Sequence, residues 1–298
     1  MQVCDMKRIY VVSDIHGYYD ELMDALHREG FDIKNPEHHL LICGDAFDRG
    51  SGNTLVFNLI KTLLQLNRLI YIRGNHEDLL LDLWEEIKTN KVVTYTHHFH
   101  NKTTNTICDF VKNPVISHKF GFMYYGTMDI FFDDNEIEEM NEALSPLIDI
   151  IENHTVDYYE IGDYIFTHGW LPCMSIKSYG VEKYTGLVPE WRRLPKNSEE
   201  WLNARWINGG AAWKARCFEK NKTIICGHWH SSWGHSHLHY ACKEWPQKSH
   251  KDFDVAFEPF YDNGIIMIDG CTAYSGKVNI LVFEQDEKEN IKLLNKEV

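Results

Sequence analysis

Five short segments place carboxylate, imidazole and amide side chains directly beside glycine: Asp14-Ile15-His16-Gly17, Gly44-Asp45-Ala46-Phe47-Asp48-Arg49-Gly50, Gly74-Asn75-His76-Glu77, Thr167-His168-Gly169 and Gly227-His228-Trp229-His230. Side chains of these types can ligate a cation, carry a proton or clamp an anion. Asp14 and His16 stand two residues apart, so an extended chain turns both toward one cleft. Oxygen and imidazole donors without a thiolate suit manganese, iron or zinc, and they do not describe a structural zinc knuckle. Any one segment alone could be ordinary turn chemistry, since Asp and Asn at a strand end often cap the next helix. The ordered set in one chain makes a metal site the better explanation.

The segments lie where strands should end. Residues 8–13 are β-rich and stop at Asp14; residues 19–29 then carry Leu22 and Leu26 at helical spacing, with Gly30 as a stop. Residues 39–43 and 69–73 are apolar runs ending at Gly44-Asp45 and Gly74-Asn75, and helical patterns follow over 53–66 and 77–87. Three β-loop-α units in series predict an α/β core with a largely parallel sheet. In such a sheet ligands gather beyond the carboxyl ends of the strands, where the polar segments sit. The spacing further predicts a helix over 136–151 and a hairpin of 158–161 with 164–167 around Gly162-Asp163. Strands are expected over 223–226, 264–268 and 277–283, then a charged surface tail over 284–298. The pattern lapses over about 89–155 and 170–221, which are expected to be insertions in a single domain, the second an irregular wall or lid.

The 298 residues suffice for one large domain with a sizeable core. A formal net charge of -14 gives no general attraction to nucleic acid or anionic membrane, although bound cations can make one pocket locally positive. No apolar stretch is long enough to span a bilayer and no signal sequence is visible, so the expected compartment is cytoplasmic. The eight cysteines form no CxxC pair and are expected to be reduced. Among the seventeen histidines, His97, His98 and His100 are expected in solvent, and His235, His237 and His239 on a solvated loop or packing strand. Arg73 is expected to brace a sheet end.

Taken in order, DIHG, GDAFDRG, GNHE, HG and GHWH resemble the calcineurin-like metallophosphoesterases. Arg49 in the DRG triplet resembles the bacterial and phage branch of the serine/threonine protein phosphatases in particular. The resemblance covers residues 9–283, with insertions between the motifs. It implies an α/β sandwich of four αββα layers, two central mixed β-sheets flanked by helices. It also implies two divalent cations, manganese first, with iron or zinc as alternatives. Asp14 and His16 would hold the first, Asp45 would bridge, and Asn75, His168 and His228 would hold the second. His230 would be an extra ligand of the first. A hydroxide between the cations would attack phosphorus. His76, paired with Asp48, would protonate the leaving group, and Arg49 would clamp phosphate oxygens through its fork geometry. Arg205, in Ala204-Arg205-Trp206, is a candidate second substrate-binding arginine, since protein phosphatases use one from this region.

The activity implied is hydrolysis of phosphomonoesters, with protein phosphoserine or phosphothreonine the first expected substrate. Two departures from that branch keep another class open: the His228-Trp229-His230 pair, and Trp170 where protein phosphatases usually have a second glycine. The alternative is a symmetrical diadenosine tetraphosphatase-like nucleotide hydrolase or a small phosphodiesterase, and the run 268–276 is similar to the end of such enzymes. A non-catalytic phosphate-binding module would need a degenerate site, whereas every expected ligand type is present. The expected partner is a phosphorylated protein or small ester, with neither membrane nor nucleic acid.

Overall fold

Strands covered on both faces have no reason to alternate polar and apolar residues, and β1 (Lys7–Val12) and β2 (His38–Cys43) do not: both are fully buried from Ile9 and from Leu40 onward. The computed structural model describes residues 6–93, 97–123, 129–178, 181–240, 255–286 and 290–295. β1 leads to α1 (Tyr19–Arg28), β2 to α2 (Asn53–Gln65), and β3 (Leu69–Ile72) to α3 (Asn75–Asn90). These crossovers leave β1, β2 and β3 parallel neighbours, as the repeated units require.

The segment after α3 carries a short ladder, β4 (Val92–Val93) with β5 (Ile130–Phe131). Its helices are α4 (His97–His100), α5 (Thr103–Val111), α6 (Pro114–Met123) and α7 (Asp134–Asn153). α7 starts with a reciprocal cap, in which Asp133 accepts from the Glu136 amide at 2.9 Å and Glu136 from the Asp133 amide at 2.9 Å. Its buried Met140, Leu144, Leu147 and Ile151 join Leu63 of α2 and Leu80 of α3 in one core. These helices thicken the helical layer on that sheet, with α5 packed on both α2 and α3. His98 lies beneath this layer, 1% exposed, and not in solvent as expected. Burial and the neighbouring His97 lower its pKa to about 4.

Beyond α7 come β6 (Tyr158–Ile161) and β7 (Tyr164–Thr167), a second hairpin of β8 (Cys173–Ser178) and β9 (Val181–Leu187), then α8 (Glu199–Ala204) and α9 (Gly209–Lys214). The chain continues through β10 (Thr223–Cys226), α10 (Ser231–His237), β11 (Phe260–Asp262), β12 (Ile265–Met267), α11 (Thr272–Ser275), β13 (Leu281–Gln285) and β14 (Ile291–Leu293). Two five-stranded mixed sheets result, ordered β14-β13-β1-β2-β3 and β11-β12-β10-β7-β6. They face each other through Ile9, Val11, Leu41, Phe166, Ile225 and Leu281, while the alternate side chains Tyr10 and Val12 of β1 face the helices. On the outer face of the second sheet, Ile165, Ile224 and Met267 pack with Trp170 and Trp201. The layers are thus αββα.

Several elements differ from expectation. The tail adds an edge strand: Ile291 and Leu293 turn toward the inter-sheet core, and the charged residues around them hid so short a run. The strand expected over 277–283 begins only at Leu281, because the Thr272 hydroxyl holds the Lys277 carbonyl in a loop at 2.9 Å. Residues 170–221 contain an antiparallel hairpin whose register shifts between Met174 and Ser175, and its exposed Met174 and Ile176 gave no buried run to read. His235 and His237 stand on α10, where Trp233 stacks on His237 at helical spacing with ring centroids 4.6 Å apart. No described helix is long and apolar enough to cross a membrane. The six described cysteines are free thiols.

Candidate active site

The loops that leave β1, β2, β3, β7 and β10 converge and are stitched to one another. Asp14 donates its amide to the Gly44 carbonyl (3.1 Å), His16 to Asp45 (2.9 Å), and Gly227 to His168 (2.8 Å). Glycine is required where they approach most closely. A Cβ on Gly44, whose φ is +83°, would lie 2.5 Å from His168 Nδ1; one on Gly227 would lie 1.8 Å from Ser13 Oγ. Asp14, His16, Asp45, Asp48 and His228 all adopt positive φ, from 50° to 102°. Non-glycine residues are uncommon there, though Asp and His tolerate it better than most. Such a concentration marks backbone held against its preference to aim side chains.

Asp45 is the centre. Its Oδ1 lies 3.3 Å from His168 Nε2, and its Oδ2 lies 3.8 Å from His16 Nε2 and 3.9 Å from His76 Nε2. Two groups among the described residues could each hold a cation, His16 with Asp45 and His76, and Asp45 with His168 and His228; within each, one ligand atom per residue lies within 4.8 Å of the others. Asp45 belongs to both. Asn75, at the start of α3, brings its Oδ1 to 2.8 Å from His168 Nε2.

The outer nitrogens of these rings are already engaged. Nδ1–H of His16 donates to the Phe47 carbonyl (3.0 Å), Nδ1–H of His168 to the Cys43 carbonyl (2.8 Å), and the His228 ring bonds the Trp206 backbone. A carbonyl only accepts, so those nitrogens carry the hydrogen, and His16 turns an unprotonated Nε2 toward Asp45. Metal-ligating imidazoles are fixed in this way. Burial, with Arg49 and His76 adding, holds the His16 pKa well below its usual value; burial and His168 push His228 down to about 3. Both rings are neutral and free to ligate.

Asp14 accepts from Ser13 Oγ and from the His228 amide at 2.9 Å. Across from it lies Asp269, buried and accepting from the Cys271 amide at 2.7 Å, a residue the motifs did not single out. Burial, Asp269 and Asp45 raise the Asp14 pKa well above the carboxylate range, and burial pushes Asp269 up to about 6. Buried carboxylates gathered this closely are unfavourable without compensating positive charge. Carboxylate, amide and neutral imidazole donors around Asp45 fit divalent cations.

His76 and Asp48 meet as the motif reading expects, Nδ1 to Oδ2 at 2.6 Å, and exposed Arg49 brings Nη2 to 3.4 Å from His76 Nε2. His230 stands outside both cation-compatible groups; its Nδ1 meets Ser232 Oγ at 2.6 Å. Arg205 departs from the expected substrate-binding role. It is 2% exposed, and its terminal nitrogens are committed to Asp78 (2.6 Å), Asp157 (2.5 Å) and Asn197 (2.6 Å). Arg73 pairs with the same Asp78 at 2.6 Å, so the two arginines brace α3 against the second sheet.

Glu77, 1% exposed, organises the loops from behind. Its Oε1 accepts from the Ala46 amide (2.9 Å) and Tyr71 hydroxyl (2.7 Å), and its Oε2 from the amides of Asp45 (3.0 Å) and Gly74 (2.7 Å). Burial and Asp45 raise its pKa while these donors oppose the rise. All four partners donate, so only the carboxylate satisfies the geometry. Glu77→Gln puts an NH2 against donors and should cost about 2–3 kcal/mol, lowering Tm by roughly 4–12 °C. Thermal unfolding without metal checks this, and an unchanged Tm would show that the loops stand without it.

The calcineurin-like phosphoesterase family model matches residues 7–258. The symmetrical bis(5'-nucleosyl)-tetraphosphatase of Citrobacter koseri is 37% identical over 82 residues, 28% of each chain. The asymmetrical bis(5'-nucleosyl)-tetraphosphatase PrpE of Oceanobacillus iheyensis is 30% identical over 125 residues, 39% of this chain and 48% of that one. The chain thus spans less than half the length of these curated relatives. Among solved structures, a serine/threonine phosphatase from Saccharomyces cerevisiae aligns with a TM-score of 0.46 at 14% identity, covering 100% of this chain and 82% of that one. A cold-active protein-tyrosine phosphatase of a Shewanella species gives 0.44 at 16% identity, covering 97% and 81%. The family match runs from β1 through every candidate ligand, on the two-sheet sandwich that gathers those ligands, and the chain therefore belongs to the calcineurin-like phosphoesterase family.

Proposed function

We propose that this protein is a binuclear metal-dependent phosphatase that hydrolyses phosphomonoesters. One observation carries the reading: buried Asp45 is shared by two cation-compatible groups, in which backbone carbonyls fix the His16 and His168 imidazoles from outside. Asp14 and His16 would hold one cation, Asn75, His168 and His228 the other, with Asp45 common to both. Cations held there neutralise the phosphate dianion and make water a competent nucleophile near neutral pH. The chain's own residues then orient and protonate. Arg49, at the exposed mouth, can pair with two phosphate oxygens. His76 is oriented by Asp48 and would carry at Nε2 the proton that the leaving oxygen needs.

The substrate class has two readings. Phosphoserine or phosphothreonine in proteins is the first, although Arg205 is committed to internal pairs and lends it no support. A nucleotide substrate is favoured by Trp206 and Trp229, which are 48% and 36% exposed with ring centroids 5.8 and 6.4 Å from that of His228. Exposed indole faces beside the phosphate site could stack a base. Metal-stripped protein should not cleave para-nitrophenyl phosphate and should regain activity with manganese. No turnover with any divalent cation would remove the enzyme reading. A phosphoserine peptide, bis-para-nitrophenyl phosphate and diadenosine tetraphosphate, assayed side by side, then divide the substrates. Fast tetraphosphate cleavage with a silent phosphopeptide would replace the phosphomonoester reading by the nucleotide one.

A further inference from the structure

The carboxylate of Asp48 has two oxygens and two partners. Oδ2 meets His76 Nδ1, and Oδ1 accepts from the Thr106 hydroxyl at 2.6 Å. Thr106 belongs to α5, in the first insertion, and both it and Asp48 are fully buried. A second connection runs beside the first. The Asp48 amide donates to Asn53 Oδ1 (2.8 Å), and Asn53 Nδ2 donates to Asp109 Oδ2 (2.7 Å), also on α5. Thr106 and Asp109 are three residues apart and so share one helix face. Asp48 needs holding, since its φ of 102° is one that L-residues rarely adopt.

We infer that Thr106 is a positioning residue for the Asp48–His76 pair, and that α5 uses it to hold the pair in register with the cation-binding loops. Without the hydroxyl, the buried Oδ1 loses its donor, and the carboxylate is free to rotate away from the His76 ring. The inference rests on the reading of His76 as proton donor. It also gives the insertion a role at the chemistry itself: a change in the seating of α5 on α2 and α3 would reach His76 through the Thr106–Asp48 and Asp48–His76 hydrogen bonds.

The test compares Thr106→Val and Thr106→Ser with His76→Ala, using an alkyl phosphomonoester and 2,4-dinitrophenyl phosphate. The alkyl leaving group needs a proton; the dinitrophenolate does not. Thr106→Val should lower kcat on the alkyl ester about ten- to a hundredfold, the usual effect of removing such an outer partner. KM, bound metal and the dinitrophenyl rate should stay near wild type, and Thr106→Ser should restore the alkyl rate. In metal-free protein, the downfield proton resonance lost in His76→Ala should move in Thr106→Val and return in Thr106→Ser. Equal loss on both esters, or an unmoved resonance, overturns the positioning role while His76 remains the donor. If His76→Ala itself spares neither ester over the other, the donor reading fails and the inference with it. Should Thr106→Val not fold, Asp109→Ala, which removes the acceptor at the partly exposed second connection, should show the same dependence on leaving group at smaller size, and a flat response would count against α5 as the holder.

Discussion

Asp45→Asn should separate activity from stability. Turnover of para-nitrophenyl phosphate should fall by at least about 10³-fold, since a two-cation site contributes several kcal/mol to the transition state and each ~1.4 kcal/mol is tenfold. The metal-free variant should lose far less stability than activity but still unfold somewhat earlier than metal-free wild type, because the folded state holds the Asp45 carboxyl below its ordinary pKa and so favours its charge at neutral pH. Asp45 is buried beside Asp14 and Asp269, and its charge raises the pKa of both. Burial opposes its own ionisation too, but the surrounding histidines, His168 and His76 first, outweigh it and hold its pKa down. The amide relieves the repulsion with Asp14 and Asp269 but also gives up the attraction to His76, and the net effect without metal is a loss of stability. Manganese should act differently on the two proteins. At a hundred times Kd, one occupied site adds about 2.7 kcal/mol to wild type, a rise in Tm of roughly 5–10 °C. The variant, lacking the carboxylate common to both groups, should show little of that rise. Calorimetry with and without manganese, beside metal analysis, checks both halves. Two bound metals and wild-type turnover in the variant would end the reading of Asp45 as the shared ligand.

The parts of this site that could be read from the chain share a physical cause. A strand buried on both faces is an unbroken apolar run, so β1, β2 and β3 announce themselves, and chemistry in such sheets collects at their carboxyl ends. Asp14 and Asp45 follow such a run by two residues and Asn75 by three. The structure gathers them with His16, His168 and His228 because loop follows strand with no slack, glycine permitting contact where the loops cross. What stayed hidden works by partnership and not by type. Thr106 is an unremarked residue of an amphipathic helix until Asp48, 58 positions earlier, accepts its hydrogen. Glu77 reads as a helix-start carboxylate, and only the fold shows the Asp45 and Ala46 amides converging on it. Arg205 misleads for the same reason in reverse. Its sequence context suits a phosphate clamp, but Asp78 and Asp157, 127 and 48 positions away, claim its guanidinium first.

His76→Ala should lower kcat on an alkyl phosphomonoester by about 10²–10⁴-fold and leave two metals bound. The position of His76 permits two roles, because its Nε2 lies near the same Asp45 oxygen as His16 Nε2, and the rings are only 4.6 Å apart. The partner at Nδ1 decides between them. His16 donates there to a neutral carbonyl, and burial leaves that imidazole without a proton at Nε2, free to ligate. His76 donates to the Asp48 carboxylate at 2.6 Å, and although burial works against it, Asp45 and Asp48 together raise its pKa above the ordinary value. Cations at Asp45 would cancel that residue's share and leave Asp48 as the charge that keeps the proton. A nitrogen that carries a proton cannot bind a metal, so the carboxylate behind His76 makes it an acid where the carbonyl behind His16 makes a ligand. Metal analysis of the purified variant distinguishes the two directly: two equivalents with slow turnover agrees with the acid, while loss of an equivalent would make His76 a ligand and require another proton source for the leaving oxygen.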